Sequence, residues 1–73
     1  MATTLVPSTP ACELYVEMEL RAENEHLSIM DTLTLALDRL ERGHHHDRLE
    51  VGELMQQGWI ATAADGGWTV NHQ

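Results

Sequence analysis

The segment from Ser28 to Gly43 constrains the fold more than any other part of the chain, because it carries a complete helix signature. Its apolar residues recur at helical spacing and form one stripe, composed of Ile29, Leu33, Ala36, Leu37 and Leu40. Ser28 can cap the start together with Asp31, and Gly43 offers the left-handed conformation that ends many helices. We predict a helix over residues 28–42 whose apolar stripe faces the core.

A second, shorter helix is predicted from Asp47 to Gln57. Asp47 is a good N-cap residue, and Glu50 stands at the position that completes a capping box. A short apolar stripe follows, made of Val51, Leu54 and Met55. Gly58 then supplies the stop, while the internal Gly52 costs roughly 1 kcal/mol of helix propensity relative to alanine.

The carboxyl-terminal part of the chain predicts a β-hairpin. Asp65-Gly66 favours a two-residue type I′ turn, which needs positive φ at both central positions. In that register Ala63 faces Trp68 and Ala61 faces Val70. The predicted core-facing residues are then Trp59, Ala61, Ala63, Trp68 and Val70.

The segment Leu14 to Arg21 is more ambiguous. Its apolar residues alternate with polar ones, in the order Leu14, Val16, Met18 and Leu20. Period-two alternation predicts a half-buried strand, although Glu, Leu and Met favour the alternative, a helix. Before this segment, residues 1–12 hold Pro7 and Pro10 and are predicted to be a flexible tail, which leaves residues 13–73 as one domain.

Charge excludes some functions for this 73-residue chain. Its 12 acidic and 4 basic residues give a formal net charge of −8. Bulk positive charge supplies most non-specific affinity for nucleic acid, and it also attracts proteins to anionic membranes, so neither mode is expected. No apolar run approaches the ~20 residues that span a bilayer. The single Cys12 cannot form an internal disulfide, which favours the cytoplasm.

The predicted order of strand, helix, helix and hairpin gives an α+β fold with a three-stranded antiparallel sheet. Two motifs in this order match the winged-helix class of helix-turn-helix domains. The first is a helix that ends in glycine and leads into a strand, Leu54…Gly58-Trp59-Ile60, and the second is a wing, Asp65-Gly66-Gly67-Trp68-Thr69-Val70. The chain resembles that class over residues 29–71.

The resemblance implies that the second predicted helix would enter the DNA major groove and that the wing would touch phosphate. The outward residues of that helix are expected to be Leu49, Glu50, Glu53, Gln56 and Gln57, beside a single base, Arg48. Glu50 and Glu53 would repel the DNA backbone, and the wing tip carries Asp65 instead of a base. Direct DNA binding is therefore not expected, and a DNA-binding repressor is kept as the alternative.

No catalytic residue and no cofactor is predicted. Cys12 is followed by the acidic Glu13 and lacks the basic neighbour that an activated thiol needs, and no base stands at a recognisable spacing from it. Five histidines, His26, His44, His45, His46 and His72, raise the alternative of a small metal-binding protein. Three consecutive side chains rarely converge on one tetrahedral ion, so no metal ligand is assigned.

Protein binding remains as the predicted function. The acidic outer face of the first segment and an exposed Leu35 are the expected contact surfaces, and the predicted partner-binding residues are Tyr15, Glu17, Glu19, Glu23, Glu25, Leu35, Asp38, Glu50 and Glu53. In size and charge the chain resembles phage-encoded regulators that bind host RNA polymerase. The resemblance implies a monomeric, cytoplasmic transcription regulator that is steered to a basic surface of a larger protein.

Overall fold

The computed structural model describes residues 6–45 and 47–72. The elements follow in the order α1 (Thr9–Arg21), β1 (His26–Leu27), α2 (Ile29–Glu41), α3 (Asp47–Gln56), β2 (Ile60–Thr62) and β3 (Trp68–Val70). The strands form one antiparallel sheet in the order β1-β3-β2. The predicted α+β class with a three-stranded antiparallel sheet is confirmed. Residues 1–5 of the predicted tail, His46 and Gln73 lie outside the described residues.

The predicted strand over residues 14–21 is wrong, because this segment belongs to α1. Ser8 caps the helix by accepting a hydrogen bond from the Ala11 N–H, and Pro10 lies in the first turn, where no intrahelical donor is needed. Helix propensity therefore prevails over the alternation. The predicted domain boundary at residue 13 falls inside α1, since Thr9–Arg21 is one continuous helix.

Both later helices begin and end where the sequence predicts. The Ser28 hydroxyl accepts from the Asp31 N–H at 3.1 Å, and Gly43 has a φ of +91° after the end of α2. Gly58 has a φ of +83° after α3. In these two turns glycine supplies a conformation that other residues adopt at a steric cost.

The orientation predicted for α2 is wrong. Leu35, which was expected to be exposed, is 4% exposed, and Arg39 beside it is 2% exposed. The predicted core stripe lies on the opposite side of the helix and faces solvent. The sequence pattern correctly predicts which residues share one face of the helix, but it does not predict that this face is exposed to solvent.

The hairpin forms one residue out of the predicted register. Its pairs are Ile60–Val70, Ala61–Thr69 and Thr62–Trp68. The loop is longer than a type I′ turn, and Gly66 alone in it has a positive φ, of +91°. Because a slip of one residue exchanges the two faces of a strand, Ile60 enters the core in place of Ala61.

Gly67 fixes the hairpin against the start of α2. A Cβ atom at this position would lie 2.1 Å from the Leu27 carbonyl oxygen and 3.0 Å from the Ile29 nitrogen. Only a hydrogen fits there, so the hairpin can approach this closely only at a glycine.

The core lies between the three helices and the sheet, and α2 contributes Leu35 to it. It consists of Ala11, Leu14, Met18, Leu27, Leu35, Leu54, Ile60 and Val70. Trp59 and Trp68 pack against it while staying half-buried. Within residues 6–45 and 47–72, no helix is long and apolar enough to cross a membrane.

Candidate functional site

A network of ion pairs joins the three helices and removes one predicted contact residue from the surface. The Arg39 Nε–H donates to Asp47 Oδ2 at 2.8 Å, and its Nη1 donates to Glu17. Arg42 donates to the second oxygen of Glu17. Glu17 therefore faces α2 and holds two guanidinium groups, instead of lying free for a partner.

Arg39 is charged although its side chain is buried. Burial alone would lower the pKa of Arg39, but the hydrogen bond and charge of Asp47 and the charge of Glu17 outweigh it and raise the pKa. The residue connects α1, α2 and α3, and its carboxylate partners Glu17 and Asp47 lie 22 and 8 residues away in sequence. Sequence patterns had no signal for this pairing.

The two carboxylates predicted on the outward face of α3 point inward. Glu53 accepts hydrogen bonds from the Ser8 N–H and from the Ser8 hydroxyl, the latter at 2.8 Å, so it holds the amino-terminal end of α1. Glu50 is half-buried, and its Oε2 has no hydrogen-bond partner among the described residues. The prediction that both acids face outward is wrong.

The outward face of α3 is therefore nearly uncharged. Its exposed residues are Arg48, Leu49, Gly52, Met55 and Gln56. Three of the four arginines pair with carboxylates, Arg21 with Asp38 and the other two with Glu17 and Asp47. Arg48 is the remaining arginine.

An acidic surface does form at the end of α1 and the following turn. Glu19, Glu23 and Glu25 lie there. The His72 ring contacts two of them: its Nδ1 is 2.9 Å from Glu19 Oε2, and its Nε2 is 3.8 Å from Glu25 Oε1. The turn is tight, since Glu25 has a φ of +65° and His26 exchanges two backbone hydrogen bonds with Glu23. These three predicted residues are brought together at one surface.

Asp65 at the wing tip is also engaged. It accepts a hydrogen bond from the Gly67 N–H at 2.9 Å, and its Oδ2 lies 3.0 Å from His26 Nε2. Both contacts, the Gly67 bond most of all, hold the pKa of Asp65 below its ordinary value. The carboxylate stabilises the turn.

Tyr15 anchors α1 to the hairpin. Its hydroxyl donates to the Asn71 carbonyl oxygen at 2.6 Å, and its ring meets Trp59 edge-on with centroids 5.3 Å apart. Burial, followed by the charges of Glu19 and Glu25, raises the pKa of Tyr15. This predicted contact residue therefore has an evident structural role.

One candidate surface combines Met30 with the five residues of the stripe that the sequence analysis assigned to the core. We call it the α2 apolar face, and it consists of Ile29, Met30, Leu33, Ala36, Leu37 and Leu40. Their exposed fractions reach 68% at Met30 and 61% at Leu37. Isolated exposed leucines are ordinary, whereas several exposed apolar side chains on one helix face form a candidate interaction surface. The signal was the stripe itself, which was correct in composition and assigned to the wrong side.

A groove of about 550 Å³ lies between the start of α1 and the end of α2, and Cys12 and His44 are among its lining residues. The Cys12 thiol donates to the Pro7 carbonyl oxygen at 3.5 Å, so its hydrogen points to a backbone acceptor. In the part of the chain that the structure describes, no three His, Cys, Asp or Glu side chains converge as a metal site.

Comparisons with known proteins assign no family to this chain. No protein-family model, no curated protein and no solved structure matches it. Its function is therefore inferred from the surfaces described above.

Proposed function

We propose that this chain is a protein-binding regulatory module whose α2 apolar face is the contact surface for a partner protein. One observation carries the proposal: the best-formed apolar stripe in the sequence is turned to solvent, with side chains 43–68% exposed at Ile29, Met30, Leu33, Leu37 and Leu40. Each Å² of apolar surface that a partner covers contributes about 25 cal/mol, so such a face favours association.

The arrangement of elements supports a winged-helix-like scaffold. In the order α1-β1-α2-α3-β2-β3, with β1 beside β3, a further helix precedes residues 29–71, over which the sequence resembles the winged-helix class. In such a scaffold α3 would be the recognition helix. Its outward face carries a single arginine and two apolar residues, Leu49 and Met55, which suits polypeptide better than phosphate.

The proposal includes transcription regulation by binding RNA polymerase in the cytoplasm. The net charge of −8 and the acidic surface at Glu19, Glu23 and Glu25 support steering toward a basic protein surface. Polymerases carry many basic surfaces because they handle nucleic acid. The acidic surface would accelerate the encounter, and the α2 apolar face would supply the lasting contact.

A matched pull-down from bacterial lysate tests the proposal. Leu33 and Leu37 lie on the α2 apolar face, whereas Leu20 is 80% exposed on α1 and serves as the control. We expect that one set of lysate proteins binds both the unchanged chain and the Leu20→Ser variant. The same proteins should fail to bind the double variant Leu33→Ser, Leu37→Ser. Polymerase subunits in that set would support the transcription role.

Two results would contradict the proposal. Equal retention by the double variant would show that the α2 apolar face is not the contact surface. A gel shift of random duplex DNA at low salt, removed by Arg48→Gln, would instead favour the DNA-binding repressor.

A further inference from the structure

In α2 the exposed side is apolar and the buried side carries a charged residue, the reverse of the usual arrangement. Successive residues are rotated by about 100°, so the α2 apolar face covers roughly 120° of the helix, largely on the side away from the buried residues. The buried side consists of Leu35 and the charged Arg39. A surface helix normally turns its apolar stripe toward the core, so an apolar stripe on the other side is available to be covered by a second surface.

The spacing within this face indicates the shape of what covers it. Met30, Leu33, Leu37 and Leu40 follow one another at intervals of three, four and three residues. That spacing is the a/d pattern of a helix seam, which packs knobs into the holes of a facing helix. The 13 residues of α2 extend about 20 Å, enough for three turns of such a partner.

The charges beside the seam are one-sided. Asp31, Asp38 and Glu41 lie along one flank, with Asp38 already paired with Arg21. The opposite flank carries the uncharged Thr32, and at the start of the helix Gly66 of the wing approaches Ile29. A partner with lysine or arginine along one of its own flanks would match this surface.

We propose that the α2 apolar face binds an amphipathic helix of the partner protein, with an apolar seam of 3.5-residue period and basic residues on one flank. This inference rests on the proposed function and specifies the structure that the partner presents. A second copy of this chain fits less well. Each copy carries a charge of −8, and an antiparallel two-fold pairing of α2 would place both acidic flanks on the same side.

A set of labelled peptides tests the inference. The probe is an 18-residue helical peptide with leucine at its a and d positions and lysine along one flank. A second peptide replaces each lysine with glutamate, and a third keeps the composition of the first but breaks the seam. Fluorescence anisotropy with the full chain measures the dissociation constant of each peptide.

We expect the basic seam peptide to bind at least tenfold more tightly than either control peptide. The double variant Leu33→Ser, Leu37→Ser should weaken that binding at least tenfold, whereas Leu20→Ser should leave it unchanged. The charge variant Glu41→Gln should weaken the binding a few-fold, because it removes one negative charge from the acidic flank. Glu41 is exposed, so the substitution should leave the fold unchanged. Circular dichroism of each variant confirms that it is folded.

Other outcomes would overturn the inference. Equal binding of the broken-seam peptide would show that charge alone is recognised. A dimer in sedimentation equilibrium that disappears in the double variant would assign the face to a second copy. If the pull-down shows a partner that depends on Leu33 and Leu37 while no seam peptide binds, the helical ligand is wrong and the proposed function stands. If the seam peptide binds while the pull-down shows no such partner, the proposed function fails separately.

Discussion

Helices α1 and α2 have the same length, yet their sequences and surroundings contrast. The α1 sequence alternates like a strand, but three of its side chains, Ala11, Leu14 and Met18, lie in the core. The α2 sequence has the clearest apolar stripe in the chain, and that stripe faces solvent. Periodicity thus shows which residues share a face, while the neighbouring elements decide what covers that face.

The difference has a physical origin in how each helix is held. α1 packs against α3, α2 and β1, so it is covered on several sides. α2 is held by Leu35, by the ion pairs of Arg39 and by the close approach of Gly67 to its start. These contacts use one side of α2 and leave the apolar side exposed.

The largest expected effect comes from breaking the contact that holds the start of α2. Gly67→Ala should lower the free energy of unfolding by about 3 kcal/mol or more, because the added Cβ would clash with the Leu27 carbonyl oxygen. The matched control Gly52→Ala meets no atom within 4 Å and should stabilise the chain by up to about 1 kcal/mol. Urea unfolding of both variants measures the difference, and a Gly67→Ala variant as stable as the control would refute the close approach.

Removing the Arg39 guanidinium, which joins the three helices, should also lower the free energy of unfolding, but by less than Gly67→Ala. Arg39→Met leaves Glu17 and Asp47 facing each other without their shared cation, and should cost about 2–3 kcal/mol of unfolding free energy. Arg48→Met, on the exposed face of α3, should change it by less than about 0.5 kcal/mol. Equal midpoints in thermal unfolding for the two variants would show that the buried network is not a stabilising element.

Two leucines on α2 sharpen the comparison of its two sides. Leu35→Ala should cost about 2–3 kcal/mol because the side chain is 4% exposed and leaves a cavity. Leu37→Ala, at a side chain that is 61% exposed, should change the unfolding free energy by less than about 0.5 kcal/mol. The reverse order in chemical denaturation would place the stripe in the core and contradict the orientation of α2.

The smallest expected effect concerns the wing. The pKa of Asp65 is lowered in the folded state, so its contribution to stability is present above the ordinary aspartate pKa of about 4 and is lost as pH falls through the folded value. Asp65→Asn removes this titration while an amide oxygen can still accept from Gly67. The difference in urea midpoint between the two chains should therefore shrink between pH 5 and pH 2. A constant difference would show that Asp65 does not titrate abnormally.

The local parts of the fold could be predicted from sequence, and the long-range parts could not. The bounds of α2 and α3 follow from caps and stops that act within a few residues, such as Ser28 and Gly43. The close approach of Gly67 to Leu27 joins the hairpin to a distant segment, and no local pattern encodes it. The prediction of a strand in place of α1 gave alternation more weight than helix propensity, although Ser8 and Pro10 supply a local helix start that Glu53, far along the chain, holds in place.

The candidate site shows the same division. Composition indicated an acidic surface, and Glu19, Glu23 and Glu25 do gather at one. The inward turn of Glu17 and Glu53 depends on partners elsewhere in the chain, Arg39 and Arg42 for Glu17 and Ser8 for Glu53. The prediction that the recognition-type helix is too acidic for DNA therefore rested on side chains that point elsewhere. The shortage of unpaired arginine is the better reason to expect no direct DNA binding.

The central claim is that α2 presents its apolar face to solvent when the chain is alone. Solvent paramagnetic relaxation of the leucine methyl signals measures this directly in the free protein. We predict strong relaxation at Leu33 and Leu37 and weak relaxation at Leu35 and Leu54, in keeping with their exposed fractions of 53%, 61%, 4% and 0%. Weak relaxation at Leu33 and Leu37 in a dilute, monomeric sample would contradict the account.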